Sequence, residues 1–202
     1  MSGASNPPPK PPSADDDAFK KELVALIPHL RAFARTLTGD PTAADDLAQD
    51  AMMKAWDARA SYQMGTNMKA WTFMILRNQF YSEKRRSWRQ SQLDQEAAER
   101  TLVAVDDPES PVALDELRLA LATLPEEQRE ALILVGAGGF AYEEAAEICQ
   151  CAVGTVKSRV SRARKALQAT LEKGGYARDG RAAGDAMRSI LAAADRLSSV
   201  RD

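Results

Sequence analysis

The sequence predicts an all-α chain of two small helical domains joined by a flexible acidic linker. Three observations carry that expectation. Apolar residues recur at helical spacing through most of the chain, whereas runs alternating at the strand period are scarce. The stretch from Ser91 to Thr123 holds Asp94, Glu96, Glu99, Asp106, Asp107, Glu109, Asp115 and Glu116 against Arg100 and Arg118. Beyond it, "VGTVKSRVSRARKAL" places Lys157, Arg159, Arg162, Arg164 and Lys165 on one short helix, although the chain of 202 residues has a formal net charge of −2.

The elements follow in order. Residues 1–17, "MSGASNPPPKPPSADDD", read as a disordered leader, because clustered prolines and Asp offer nothing to bury. The leader holds no apolar segment of the signal-peptide kind, so a cytoplasmic location is expected. No apolar run approaches the roughly 18 to 20 residues of a membrane span, and no membrane partner is expected. Residues 18–90 form the first domain. Its first helix runs from Phe19 to Leu37 on the stripe Leu23, Leu26, Ile27, Leu30, Phe33, Ala34 and Leu37. Gly39-Asp40-Pro41 breaks it, and Asp40 or Thr42 caps a second helix reaching about Ala60. "SYQMGTN", Ser61 to Asn67, is a loop, and a third helix runs from Met68 to about Trp88.

Residues 91–110 are the acidic linker, with "AVDDPESP" at its centre. Residues 111–173 form the second domain. Helical periodicity resumes from Val112 to Leu124, and Pro125 suits the first position of the next helix, with Glu126 and Glu127 in the favourable first turn. "GAGGF" stops that helix. "AYEEAAEIC" is a short helix, "QCA" a turn, and the basic helix follows, which is the layout of a helix-turn-helix. Residues 174–202 are a C-terminal extension whose Ala183, Met187, Ile190, Ala194 and Leu197 allow one more amphipathic helix.

At 100° per residue, Val153, Val156, Val160, Ala163 and Leu167 cluster on one side of the basic helix. Opposite them lie Thr155, Ser158, Ser161, Arg162 and Lys165, flanked by Lys157, Arg159 and Arg164. The apolar side docks on the preceding helix, where Ala145 and Ala146 permit close approach. The polar side carries the residue types that read base edges in the major groove, Arg on guanine and Ser or Thr on several bases. The same composition also describes an ordinary solvated basic face. The tight turn, the hydroxyls between the arginines and the absence of acids on the helix favour DNA.

The third helix of the first domain, "MKAWTFMILRNQFYSEKRRSW", interleaves aromatics with Arg, Lys and Asn. That pattern serves either a core or a stacking surface for single-stranded nucleic acid, and composition leaves both open. Catalytic chemistry is not expected. There is no nucleophile, dyad or phosphate-binding Gly loop, since "GAGGF" lacks the Lys-Ser/Thr of a P-loop. Cys149, Cys151 and His29 are too few for a structural zinc site, so no metal and no cofactor are expected, and Cys149 is expected as a buried apolar residue.

Four motifs in order, "ADDLAQDAMMKAW" (Ala44 to Trp56), "WTFMILRN" (Trp71 to Asn78), "LPEEQREALIL" (Leu124 to Leu134) and "VGTVKSRVSRARKAL", resemble the extracytoplasmic-function group of sigma-70 RNA polymerase sigma factors. The run "AYEEAAEICQCAVGTVKSR" resembles its EcfG-like general-stress branch, and the likeness spans about residues 18 to 172. The resemblance implies sigma region 2 in the first domain and region 4 in the second, with core RNA polymerase, promoter DNA and a small anti-sigma factor as partners. By position it assigns Asp46, Gln49 and Asp50 to the polymerase clamp. It assigns the loop Tyr62 to Asn67 to a flipped −10 base, with Arg77 and Asn78 as further −10 contacts, and Lys157, Ser158, Ser161 and Arg162 to the −35 element. Unstacking a base costs a few kcal/mol, which a pocket must replace; Tyr62 and Met64 could supply contact area, Asn67 and Asn78 hydrogen bonds. Two other readings stay open: a stand-alone helix-turn-helix regulator, and a sigma-mimicking interaction protein. The charge distribution fits the sigma-factor reading best, because a free-standing DNA-binding domain is typically strongly basic. Glu126, Glu127, Glu130, Glu143, Glu144 and Glu147 all precede the basic helix and are expected to weaken DNA binding without polymerase.

Overall fold

The computed structural model describes residues 14–93 and 119–172. The leader through residue 13, residues 94–110 of the linker, the first part (112–118) of the helix expected from Val112 and the expected extension helix lie outside the described residues. Among those described, every regular element is helical, as the sequence predicts.

Helix α1 spans Ala14–Ala25 and α2 spans Ile27–Thr38. The sequence reading ran these together as one helix from Phe19. Pro28 divides them: it has no N–H to donate to the turn before it, and its ring opposes a continuous helix. In the second position of α2 it does no harm, since that N–H would go unpaired anyway. Helix α1 also starts inside the segment read as leader. Asp16 and Asp17 suit a first helical turn, and Asp16 accepts from Arg59 at 3.0 Å, tying α1 to the turn after α3.

Gly39, at φ 73°, ends α2 in the left-handed conformation that glycine adopts without strain. Asp40 then caps α3 (Pro41–Asp57) by accepting from the Ala43 N–H at 2.7 Å. A short 3₁₀ turn, Arg59–Ser61, leads into the loop, and α4 runs from Met68 to Leu93, some five residues beyond the expected end. After a helical turn at 119–122 come α5 (Glu126–Gly136), α6 (Tyr142–Cys149) and α7 (Val153–Glu172). Gln150, at φ 53°, makes the tight turn between α6 and α7.

The two helical units share one core. Phe33 of α2 stacks on Phe73 of α4 with ring centroids 4.8 Å apart, and Phe73 meets Phe140 of the second unit edge-on at 5.0 Å. Leu30, Leu76, Leu132, Leu134, Ile148 and Leu167 belong to the same buried cluster. A smaller cluster of Phe19, Leu23, Ala55, Tyr62 and Met68 fastens α1 to the base of α4. The face that sets the second unit against α4 decides what the candidate sites can touch.

Candidate nucleic-acid and polymerase interfaces

On α7 the sequence-derived division of faces is reproduced side chain by side chain. Val156, Val160, Ala163 and Leu167 are buried against α5 and α6, where Ala145 and Ala146 are also buried. Lys157, Ser161, Arg162 and Lys165 are exposed, and Thr155 and Ser158 are half-buried at the edge of the same face. Arg162 donates to Ser158 Oγ at 3.3 Å, and Lys157 Nζ lies 5.6 Å from the Tyr142 ring centre. Arg159 behaves differently. Its guanidinium donates to Glu127 at 2.6 Å and to Cys151 Sγ at 3.7 Å, so it braces the turn and α5. Cys149 is buried as expected, and burial pushes its thiol up to about 12.

Part of the α4 surface is occupied by the second unit. Arg77 donates to both oxygens of Glu130 on α5, at 2.6 and 3.4 Å, and Tyr81 donates to the same carboxylate at 3.3 Å. Glu130 is fully buried and Arg77 partly so. Burial holds the Glu130 carboxyl above the usual carboxylate range, while the charge and hydrogen bonds of Arg77 pull the other way. The Arg77 guanidinium, held up by Glu130 against its own burial, stays protonated. Burial also raises the Tyr81 phenol, with the charges of Glu130 and Glu126 adding to it, so Tyr81 remains a donor.

Four more polar contacts cross the same seam. Gln150 donates to Asn78 Oδ1 at 3.2 Å, and Asn67 Nδ2 donates to Glu144 at 2.7 Å. Lys69 donates to the Gly138 carbonyl at 2.7 Å while lying 5.1 Å from the Phe140 ring centre, and Lys84 pairs with Glu126. Burial lowers the Lys69 ammonium, partly offset by the charge of Glu144. Beside these contacts an apolar cavity of about 240 Å³ opens between α2 and α5, lined by His29, Phe33, Phe73, Leu132 and Ile133 among others.

The loop differs from its expected form. Tyr62 is buried, its ring 5.7 Å from Phe19 and 5.1 Å from Trp71, and its hydroxyl donates to the Thr66 carbonyl at 2.7 Å. It shapes the loop from below rather than offering an open stacking surface. Met64 projects outward. Gly65, at φ 87°, makes the turn that follows Met64. Asn67 caps α4, its Oδ1 accepting from the Ala70 N–H at 3.0 Å. On α3, Asp46, Gln49 and Asp50 are exposed on one face. Sequence reasoning missed their apolar continuation, where Met53 (58 % exposed) and Val24 border a shallow depression with Trp56.

The sequence reading also missed Lys69, Lys84 and Gln150 as site residues, and placed Glu130 only among general acids. One signal was available for Glu130. It lies four residues before Leu134 and next to Ala131 on the buried stripe of α5, and a carboxylate on an apolar stripe requires a partner.

Comparison with known proteins places this arrangement. Residues 23–90 match the family described as Sigma-70 region 2, and residues 114–167 match Sigma-70, region 4. The chain is 46% identical over 155 residues to the ECF RNA polymerase sigma factor EcfG of Rhodopseudomonas palustris, covering 77% of this chain and 86% of that one. It is 33% identical over 135 residues to the ECF RNA polymerase sigma-E factor of Escherichia coli K12, covering 60% of this chain and 70% of that one. Among solved structures it resembles the sigma factor RpoE in complex with the anti-sigma factor NepR from Bartonella quintana. That match has a TM-score of 0.70 and 47% identity, over 77% of this chain and 98% of that one.

Proposed function

The chain belongs to the extracytoplasmic-function RNA polymerase sigma factors, and from that membership we propose how its parts divide the work of promoter recognition. The first unit, residues 18–90, joins core polymerase and holds the opened −10 element; the second, residues 111–173, reads the −35 element as duplex. Asp46, Gln49 and Asp50 engage the polymerase clamp, with Met53 and Val24 as the apolar part of the same surface. Arg162 and Lys157 reach base edges or phosphates in the major groove, while Thr155, Ser158, Ser161 and Lys165 complete the face. Met64, Asn67, Arg77 and Asn78 contact the −10 strand, and Tyr62 fixes the loop that receives a flipped base. Chemistry stays with the polymerase; this chain contributes binding and strand separation.

The observation that carries the division is the segregation on α7, where the apolar side is spent on α5 and α6 and the hydroxyl and cationic side is left to solvent. Similarity to EcfG supports general stress genes as the regulon and the cytoplasm as the location. Similarity to RpoE held by NepR supports a small anti-sigma factor as the third partner. The stand-alone regulator does not account for a chain matching both sigma regions in order, and the intact, exposed basic face of α7 argues against the sigma mimic.

Transcription in vitro tests the proposal. Purified chain added to core polymerase is expected to start transcripts at a promoter that core alone ignores. Tight footprinting on duplex DNA without polymerase, together with no gain in initiation, would return the chain to the regulators.

A further inference from the structure

The charge on the two sides of the seam is opposite and one-sided. Helix α4 carries Lys69, Arg77, Lys84, Arg85, Arg86 and Arg89, with Glu83 as its acid. Helices α5 and α6 carry Glu126, Glu127, Glu130, Glu143, Glu144 and Glu147, with Arg129 as their base. Of those acids, Glu126, Glu130 and Glu144 face α4, and each receives a hydrogen bond or ion pair from it or from its cap. The Gly138 carbonyl takes a fourth donor, Lys69. Cations and amide donors of α4 thus meet carboxylate and carbonyl oxygens, which is the chemistry that a nucleic-acid strand offers through phosphates and base acceptors.

Geometry restricts the choice further. Glu130 engages Arg77 through both oxygens, as a phosphate would, and its carboxylate is closed to water. Arg77 cannot meet a strand while α5 remains in place, and the exposed Asn78 has its Oδ1 taken by Gln150 of the α6–α7 turn.

We propose that Glu126, Glu130 and Glu144 act as an intramolecular stand-in for the DNA strand, occupying a nucleic-acid face on α4 that also includes Lys69 and Lys84. Strand binding and closure of the two units are then competing uses of one surface. Separation of the units on the polymerase frees α4 for the −10 strand, while the polar side of α7 is exposed already. The proposal rests on the sigma reading above, and it adds Lys69 and Lys84 to the residues that touch DNA.

The test uses the full chain without polymerase and a fluorescein-labelled 12-nucleotide single-stranded DNA. The seam variant Glu126→Gln/Glu130→Gln/Glu144→Gln is compared with Asp17→Asn/Glu22→Gln/Glu147→Gln, which changes the net charge equally at exposed positions away from the seam. The seam variant is expected to bind roughly tenfold tighter than wild type, and the control about twofold at most, since uniform charge removal acts only through the screened long-range field. Adding Lys69→Ala and Lys84→Ala should abolish most of that gain. Glu126→Gln/Glu144→Gln alters only partly exposed carboxylates and leaves the buried Glu130 intact; it should bind about threefold tighter even if the triple variant folds poorly. Equal gains in seam and control variants, or a gain that survives loss of both lysines, would overturn the proposal. Transcription with core polymerase, measured on wild type, separates the two levels. Initiation without any seam effect removes only the stand-in, whereas failure of initiation removes the sigma reading beneath it.

Discussion

Helices α4 and α7 both present Arg, Lys and short polar side chains of the kinds that bind nucleic acid, yet the structure treats them oppositely. Helix α7 keeps its polar side exposed and braces itself through one flank, Arg159 on Glu127. Helix α4 has Arg77 and Lys84 engaged by carboxylates of the second unit, 53 and 42 positions away in the chain, while Arg85, Arg86 and Arg89 beyond them are exposed. A surface available at all times suits weak reading of duplex DNA. A surface covered by the protein's own acids suits a step that must wait for another event. The contrast also explains why an acidic chain can be a DNA reader: part of its acidity is the lock on its own cations.

The largest effect should come from the buried pair. Glu130→Ala leaves Arg77 and Tyr81 without their acceptor, and removing one member of such a pair typically costs about 3–5 kcal/mol. The loss should fall on closure of the units rather than on the helices. Small-angle scattering should show a more extended chain while circular dichroism keeps its helical signal; an unchanged scattering profile would erase the distinction between α4 and α7. Next comes the foundation of the open helix. Val160 is buried beneath α7, and Val160→Ala should lower unfolding stability in urea by roughly 2 kcal/mol through lost burial and a residual cavity.

Arg162→Ala tests the open face itself. A loss of about 1–3 kcal/mol confined to cognate −35 sequence is expected if Arg162 reads a base, measured by competition between cognate and altered promoters on the holoenzyme. An equal loss on every sequence would make it a phosphate contact. The smallest effect concerns local scaffolding. Asp40→Ala should cost about 1 kcal/mol of thermal or urea stability by removing the cap of α3, without changing the preference between promoters.

What was legible in the sequence follows from the range of the interactions. The α7 face could be read from periodicity, since Val156, Val160, Ala163 and Leu167 mark the inside and the outside follows. The cap at Asp40, the helix stop after Gly136 and the burial of Cys149 were equally local. The break at Leu26 was missed because the apolar stripe runs through it without interruption, and only the missing N–H of Pro28 divides the two helices. Tyr62 looked like an available aromatic because its burial depends on Phe19 and Trp71, which no spacing rule joins to it. The α4 seam was illegible for the same reason. Asn67, Arg77 and Asn78 meet partners 77, 53 and 72 residues away, and nothing in the composition says which acids face which cations.

The most direct measurement holds the seam shut. Lys84 and Glu126 pair across it at the surface. In a chain carrying Lys84→Cys and Glu126→Cys, with Cys149→Ala and Cys151→Ser, a short reducible crosslinker should join the two units. The crosslinked protein should neither bind single-stranded promoter DNA nor support initiation by core polymerase, and reduction should return both to the level of the same variant before crosslinking. Initiation at an undiminished rate while the crosslink is intact would contradict the account, because the −10 strand would then be opened without α4 ever being released.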